Sequence, residues 1–253
     1  MALQGRIRRR SDTTEFSVHY EVDVAMVRRL QGHAEALADS DCEEHGVTRE
    51  GTCVLADRMS LFLDHDHRPG QRDGYAMPDL DTIVLAQPDY RRGSFTVGHE
   101  TGEVRLERLA GKDPFVESLR GDLKEMWCNR YGAAVLMRRG PFMADVEVLG
   151  PVHGFDPERL QPRWPRASRE AIARRLAELY PARCAMAALT LTGLEYHEVG
   201  AEGRWSDDLD YLVQEVSADA LVAGCRVERQ EGPVRLLGIC VGEERSIVVC
   251  TRR

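Results

Sequence analysis

Apolar and polar positions alternate along this chain in patterns that change from segment to segment. Val22, Ala25, Met26, Leu30 and Leu37 recur at helical spacing, so residues 22–37 are expected to form an amphipathic helix. The polar run Asp39-Ser-Asp-Cys-Glu-Glu-His45 then reads as a turn. Gly46-Val-Thr48, Cys53-Val-Leu-Ala56 and Met59-Ser-Leu-Phe-Leu63 read as short strands, and Arg68-Pro69-Gly70 as a turn. Thr82–Leu85 is a compact apolar strand, closed by the turn signal Gln87-Pro88-Asp89. A helix capped by Ser94 or Thr96 is expected next. Gly111-Lys-Asp-Pro114 breaks the pattern, with Asp113 suited to cap a segment that starts at Pro114. A second helix follows, carrying Trp127, Tyr131, Ala134 and Val135 on one side and Glu125 and Asn129 on another. Arg139-Gly-Pro141 is read as its end, and residues 142–166 are proline-containing and weakly periodic. Ser168 caps an expected helix over 168–179, with Ile172, Leu176 and Leu179 as its apolar stripe. Residues 185–198 alternate as a strand, 209–216 read as a short helix, and 234–241 with 246–250 as a terminal hairpin.

The candidate chemistry lies in the helix after Asp89. Residues four apart on a helix share a face, so His99 and Glu103 point together, with Glu100 one step round. This is the arrangement of a His-Glu-x-x-His zinc helix with glutamate at the second histidine position. Glu125, on the second helix, can supply a third metal ligand. A different reading pairs Glu103 with Arg105 or Arg108 on the helix surface. Asp64-His65-Asp66-His67 holds further ligand types. It reads as a solvated loop, although a histidine from it (His65 or His67) would compensate for Glu103. If Thr82–Leu85 formed a sheet edge beside the site, an extended peptide would pair with it.

Phe95-Thr-Val-Gly-His-Glu-Thr-Gly-Glu103, followed by Glu125-x-x-x-Asn129-Arg-Tyr-x-Ala-Ala-x-Leu-Met137, resembles the ImmA/IrrE family of zinc metallo-endopeptidases. The family pairs a Phe-Thr-x-x-His-Glu-x-x-His helix with a later Glu-x-x-Ala-Asn-x-Phe-Ala segment. Cys128 and Tyr131 stand where the family has alanine and phenylalanine, and Glu103 where it has the second histidine. The resemblance covers roughly residues 20–145. It implies an α+β fold: a zincin-like domain over 21–150, with a small sheet, the metal helix and a second helix. A loose arm over 1–20 precedes it. A helix-turn-helix-like helix and a small α+β region over 151–253 follow. It also implies zinc, or manganese given the glutamate, held by His99, Glu103 and Glu125, with Glu100 as general base. The implied substrate is a helix-turn-helix repressor, and the implied setting is transcriptional control of a stress response. A silent relative, keeping the fold as a protein-binding module, is the second function class, and Glu103 is the residue that divides the two.

Composition narrows the rest. The 253 residues fit one large domain or two small ones. The net charge of −8 argues against a phosphate-binding field, so the arginines of 166–183 are read as a solvated helix face and direct DNA binding is not expected. The basic N-terminus lacks a following apolar core, so no secretory signal is read, and no apolar run reaches a membrane span. The seven cysteines form no C-x-x-C pair and read as reduced thiols of a cytoplasmic protein. Cys225, Cys240 and Cys250 are read as small buried residues ahead of a metal cluster.

Overall fold

The computed structural model describes residues 3–4, 21–22, 24–49, 51–65, 74–86, 90–190, 193–199, 207–242 and 244–252. The expected arm over 1–20 (apart from Leu3–Gln4), His67 and the turns at 68–70 and 87–89 lie outside them. The architecture is mixed α+β. In chain order it begins with β1 (Leu3–Gln4), which pairs antiparallel with β2 (Glu21–Val22). Then come α1 (Val24–Glu44), α2 (Thr52–Arg58), β3 (Phe62–His65), β4 (Gly74–Met77) and β5 (Thr82–Leu85). The helices α3 (Tyr90–Leu109), α4 (Pro114–Ser118), α5 (Asp122–Leu136), α6 (Arg139–His153), α7 (Pro157–Leu160) and α8 (Arg169–Leu179) follow. The chain closes with β6 (Cys184–Thr190), β7 (Gly193–Val199), α9 (Asp207–Ala223), β8 (Val227–Glu231), β9 (Val234–Gly242) and β10 (Arg245–Arg252). No helix among the described residues is long and apolar enough to cross a membrane.

Contacts divide the chain into two compact units. One comprises residues 28–144 and 163–168, the other 1–27, 145–162 and 169–253. In the first unit, β3, β5 and β4 form a three-stranded sheet in that order, with β3 parallel and β4 antiparallel to β5. The strand expected at 82–85 is therefore central, and the edge beside the site belongs to β4. α3 packs against α2, α5, β4 and β5. This explains a helix that is poor in intrinsic propensity, with three glycines and several β-branched residues: tertiary packing outweighs a cost of up to about 1 kcal/mol per glycine. Ser94 and Thr96 are not its caps. The helix has already begun at Tyr90, and both side chains are buried within it.

Other expectations needed similar correction. The polar run at 39–45 lies mostly within α1, because Asp41 and Cys42 face inward at 3% and 0% exposure. The supposed strand at 53–56 belongs to α2, whose Thr52, Leu55 and Ala56 are buried at helical spacing; a short apolar run does not by itself separate helix from strand. The strand expected at 59–63 starts later, since Ser60 takes a left-handed conformation (φ 63°) after α2 and β3 begins at Phe62. Asp64 and His65 are strand residues, not loop. Arg139-Gly-Pro141 opens α6 instead of merely ending α5, as proline is tolerated in a first turn. Gly150 (φ 78°), just before Pro151, breaks α6 near its end. The Asp113 cap is as expected, its carboxylate accepting the N–H groups of Phe115 and Val116 at 2.8 and 3.3 Å.

In the second unit all neighbouring strands of the five-stranded sheet are antiparallel, in the order β7-β6-β10-β9-β8. The segment 185–198 is thus two strands. α9 covers Ala187, Leu189, Leu236, Val248 and Cys250 with Val213 and Val216. Gly238 permits this approach, since a Cβ there would lie 2.8 Å from the Val216 carbonyl oxygen. The arginine-rich helix α8 is not simply a solvated face. Arg175 is fully buried and pairs with the buried Glu178 at 3.2 Å. Among the three late cysteines only Cys250 is buried; Cys225 is exposed and Cys240 half-buried.

Candidate metal site

α3 and α5 make the most extensive helix–helix contact in the first unit, and their small residues determine how close they come. Gly98 and Gly132 face each other. A Cβ at Gly132 would sit 2.7 Å from the His99 backbone nitrogen and 2.9 Å from the Gly98 carbonyl carbon, closer than real Cβ atoms come. A Cβ at Gly102 would meet Tyr131 and the Cα of Cys128 at 3.2 and 3.3 Å. The Gly98-x-x-x-Gly102 spacing on α3 was the sequence signal for this close crossing, and periodicity alone passed over it. Backbone contact at this level brings Glu125 and Asn129, two turns or less before Gly132, alongside His99. Gly132→Ala is therefore expected to cost about 1–3 kcal/mol through overpacking. Gly32→Ala, at a helical position with nothing within 4 Å of the added Cβ, serves as the control and is expected to be neutral or stabilising. Chemical denaturation of both variants checks this; equal stabilities would refute the close-crossing account.

His99 Nε2 lies 3.9 Å from Glu103 Oε1 and 3.7 Å from Glu125 Oε2. One potential ligand atom from each of the three residues falls within 4.8 Å of the others. His99 Nδ1 lies 3.0 Å from Asn129 Oδ1. The amide oxygen only accepts, so Nδ1 carries the proton and Nε2 presents its lone pair to the two glutamates. Asn129 was placed on the same side as Glu125 by the sequence pattern, but its role in fixing the histidine tautomer emerges only from the structure. The alternative partners of Glu103 are engaged elsewhere. Arg105 binds Asp41 at 2.9 Å and Arg108 binds Asp81 at 2.8 Å. His65 is not part of the converging group, nor are the three late cysteines.

The three residues open onto a cleft of about 530 Å³, lined also by Gly74, Tyr75, Phe95, Thr96 and Glu100. Gly74 lacks a side chain where the Thr96 methyl group sits, since a Cβ there would lie 2.6 Å from Thr96 Cγ2. Glu100 is buried at 6% exposure. Its carboxyl group shares a hydrogen bond with Glu103 and accepts one from the Ala76 N–H on β4. Burial first, then the neighbouring Glu103 charge, pushes its pKa up to about 8. Two carboxyl groups in contact cannot both ionise cheaply, so they hold a proton between them. A divalent cation at the adjoining residues would favour the ionised form and bring that value down.

The donor set fits a divalent metal ion: one imidazole nitrogen with its tautomer fixed and two carboxylates, beside a third carboxyl group able to exchange a proton. No protein-family model matches the chain, and no curated protein matches it. Among solved structures it is similar to a transcriptional regulator of Mycobacterium tuberculosis, with a TM-score of 0.65 at 13% identity, over 90% of this chain and 81% of that one. At that identity the likeness shows a shared fold.

Proposed function

We propose that residues 28–144 form a zincin-like module of the ImmA/IrrE type, a metal-dependent endopeptidase that cleaves a regulatory protein partner. The observation that carries this reading is the convergence of His99, Glu103 and Glu125 on one point beside the buried Glu100. His99 through Nε2, with Glu103 and Glu125 through carboxylate oxygens, would hold zinc or manganese. The bound ion supplies Lewis acidity toward a carbonyl oxygen and lowers the pKa of a nearby water. Glu100 takes the proton of the attacking water on its carboxylate and delivers it to the leaving nitrogen. Asn129 keeps the imidazole in the tautomer that this requires. The edge of β4, which pairs only with β5 among the described residues, and Tyr75 at the cleft would offer backbone groups to an extended peptide. The inferred substrate is a helix-turn-helix repressor, and similarity to a solved transcriptional regulator agrees with a regulatory role.

A second reading is favoured by the Glu100–Glu103 hydrogen bond, which exists because glutamate replaces histidine at 103. On that reading the module keeps the fold and binds its partner without cutting it. Elemental analysis separates the two. The endopeptidase reading expects zinc or manganese at close to one ion per chain in protein purified without chelator, and loss of that ion from Glu125→Ala. Protein that stays metal-free after incubation with either ion would leave only the binding module.

A further inference from the structure

We infer that this site prefers zinc over manganese by a smaller ratio than a two-histidine site does. The inference rests on the metal reading above and concerns what the Glu103 substitution does to it. Three observations carry it. The converging atoms are one nitrogen and two carboxylate oxygens, with no sulfur among them. Both carboxylates are open to water, with side-chain exposures of 37% for Glu103 and 59% for Glu125, whereas His99 is at 14%. Among the described residues lining the cleft, every acidic or basic side chain other than His99 is a glutamate.

Imidazole suits zinc, whereas carboxylate and water suit manganese and magnesium, and for any fixed site the intrinsic order still runs manganese below zinc. Replacing one imidazole by a carboxylate therefore removes a donor that favours zinc. It adds a full charge that attracts any dication, and it leaves solvent-facing oxygens, which harder ions accept. The result is a smaller zinc-over-manganese ratio, not a reversal of the intrinsic order. Arg105 and Arg108, which would otherwise quench the extra charge, are bound to Asp41 and Asp81.

The test uses the full chain and two variants, Glu103→His and Glu103→Gln. Each is titrated with manganese and with zinc against a chromogenic chelator, with the electron paramagnetic resonance signal of free manganese as a second readout. Glu103→His is expected to increase the zinc-over-manganese ratio by about tenfold or more, since even groups that only support a ligand change affinity by about 10–100-fold. Glu103→Gln is expected to weaken both ions. An identical ratio in the wild-type protein and Glu103→His overturns the inference while leaving the metal reading intact. A wild-type protein that binds neither ion overturns both. Thermal melts of all three proteins confirm that the half-exposed position tolerates the changes.

Discussion

Asp41→Ala is expected to destabilise the first unit by about 3 kcal/mol, toward the lower end of the range for breaking a buried charge pair. Asp41 is 3% exposed at the buried side of α1. Its two carboxylate oxygens receive the Arg105 guanidinium at 2.9 and 3.0 Å, and one of them also accepts the Tyr131 hydroxyl at 2.7 Å. One side chain thus ties α1 to α3 and to α5, the two helices that carry the candidate ligands. Removal leaves a buried phenol without its acceptor and a guanidinium, 24% exposed, without its counter-charge. Burial and the Asp41 carboxylate hold the Tyr131 pKa well above its ordinary value, so the phenol stays protonated and donates. A denaturant series on Asp41→Ala, Tyr131→Phe and the double variant measures the coupling. Tyr131→Phe alone is expected to cost about 1 kcal/mol. Additive effects, or a loss below about 1 kcal/mol for Asp41→Ala, would show that the three-helix tie does not hold the unit together.

Glu100→Gln is expected to remove about 10²–10⁴-fold of any hydrolysis, because it deletes the proton acceptor while keeping nearly the same shape. Metal binding on the proposed reading is expected to persist, since Glu100 is not among the three converging residues. Stability supplies an independent check. A carboxyl group whose folded pKa is about 8, above the unfolded value near 4.5, opposes folding as pH rises between those values. That opposition is absent below about pH 4.5 and fully developed above about pH 8. The amide has no proton to lose, so metal-free Glu100→Gln is expected to melt no lower than the wild-type protein at pH 8, with the difference vanishing toward pH 4.5. Retained partner cleavage would remove Glu100 from the role of base. A lower melting temperature at pH 8 would instead mean that the buried carboxyl group does not oppose folding as its raised pKa requires.

Much of this molecule was already written in its sequence. Helical spacing alone aligned His99 with Glu103 and Glu125 with Asn129, because the period of a helix is a local property. The Asp113–Pro114 cap, the strand at 82–85 and the start of α8 at Arg169 were legible for the same reason, as local chain chemistry. What the sequence left undetermined depended on neighbours distant along the chain. Asp41 looked like a turn residue until Arg105 and Tyr131 were beside it. Arg175 looked like a solvated charge, yet in the fold it is fully buried and paired with the buried Glu178. Glycines 98 and 132 went unremarked in the helical pattern, yet their missing side chains allow α3 and α5 to touch. Only the folded chain could bring Glu125 within 3.7 Å of His99, because a contact between helices depends on the shape of both surfaces and a one-dimensional pattern encodes only one at a time.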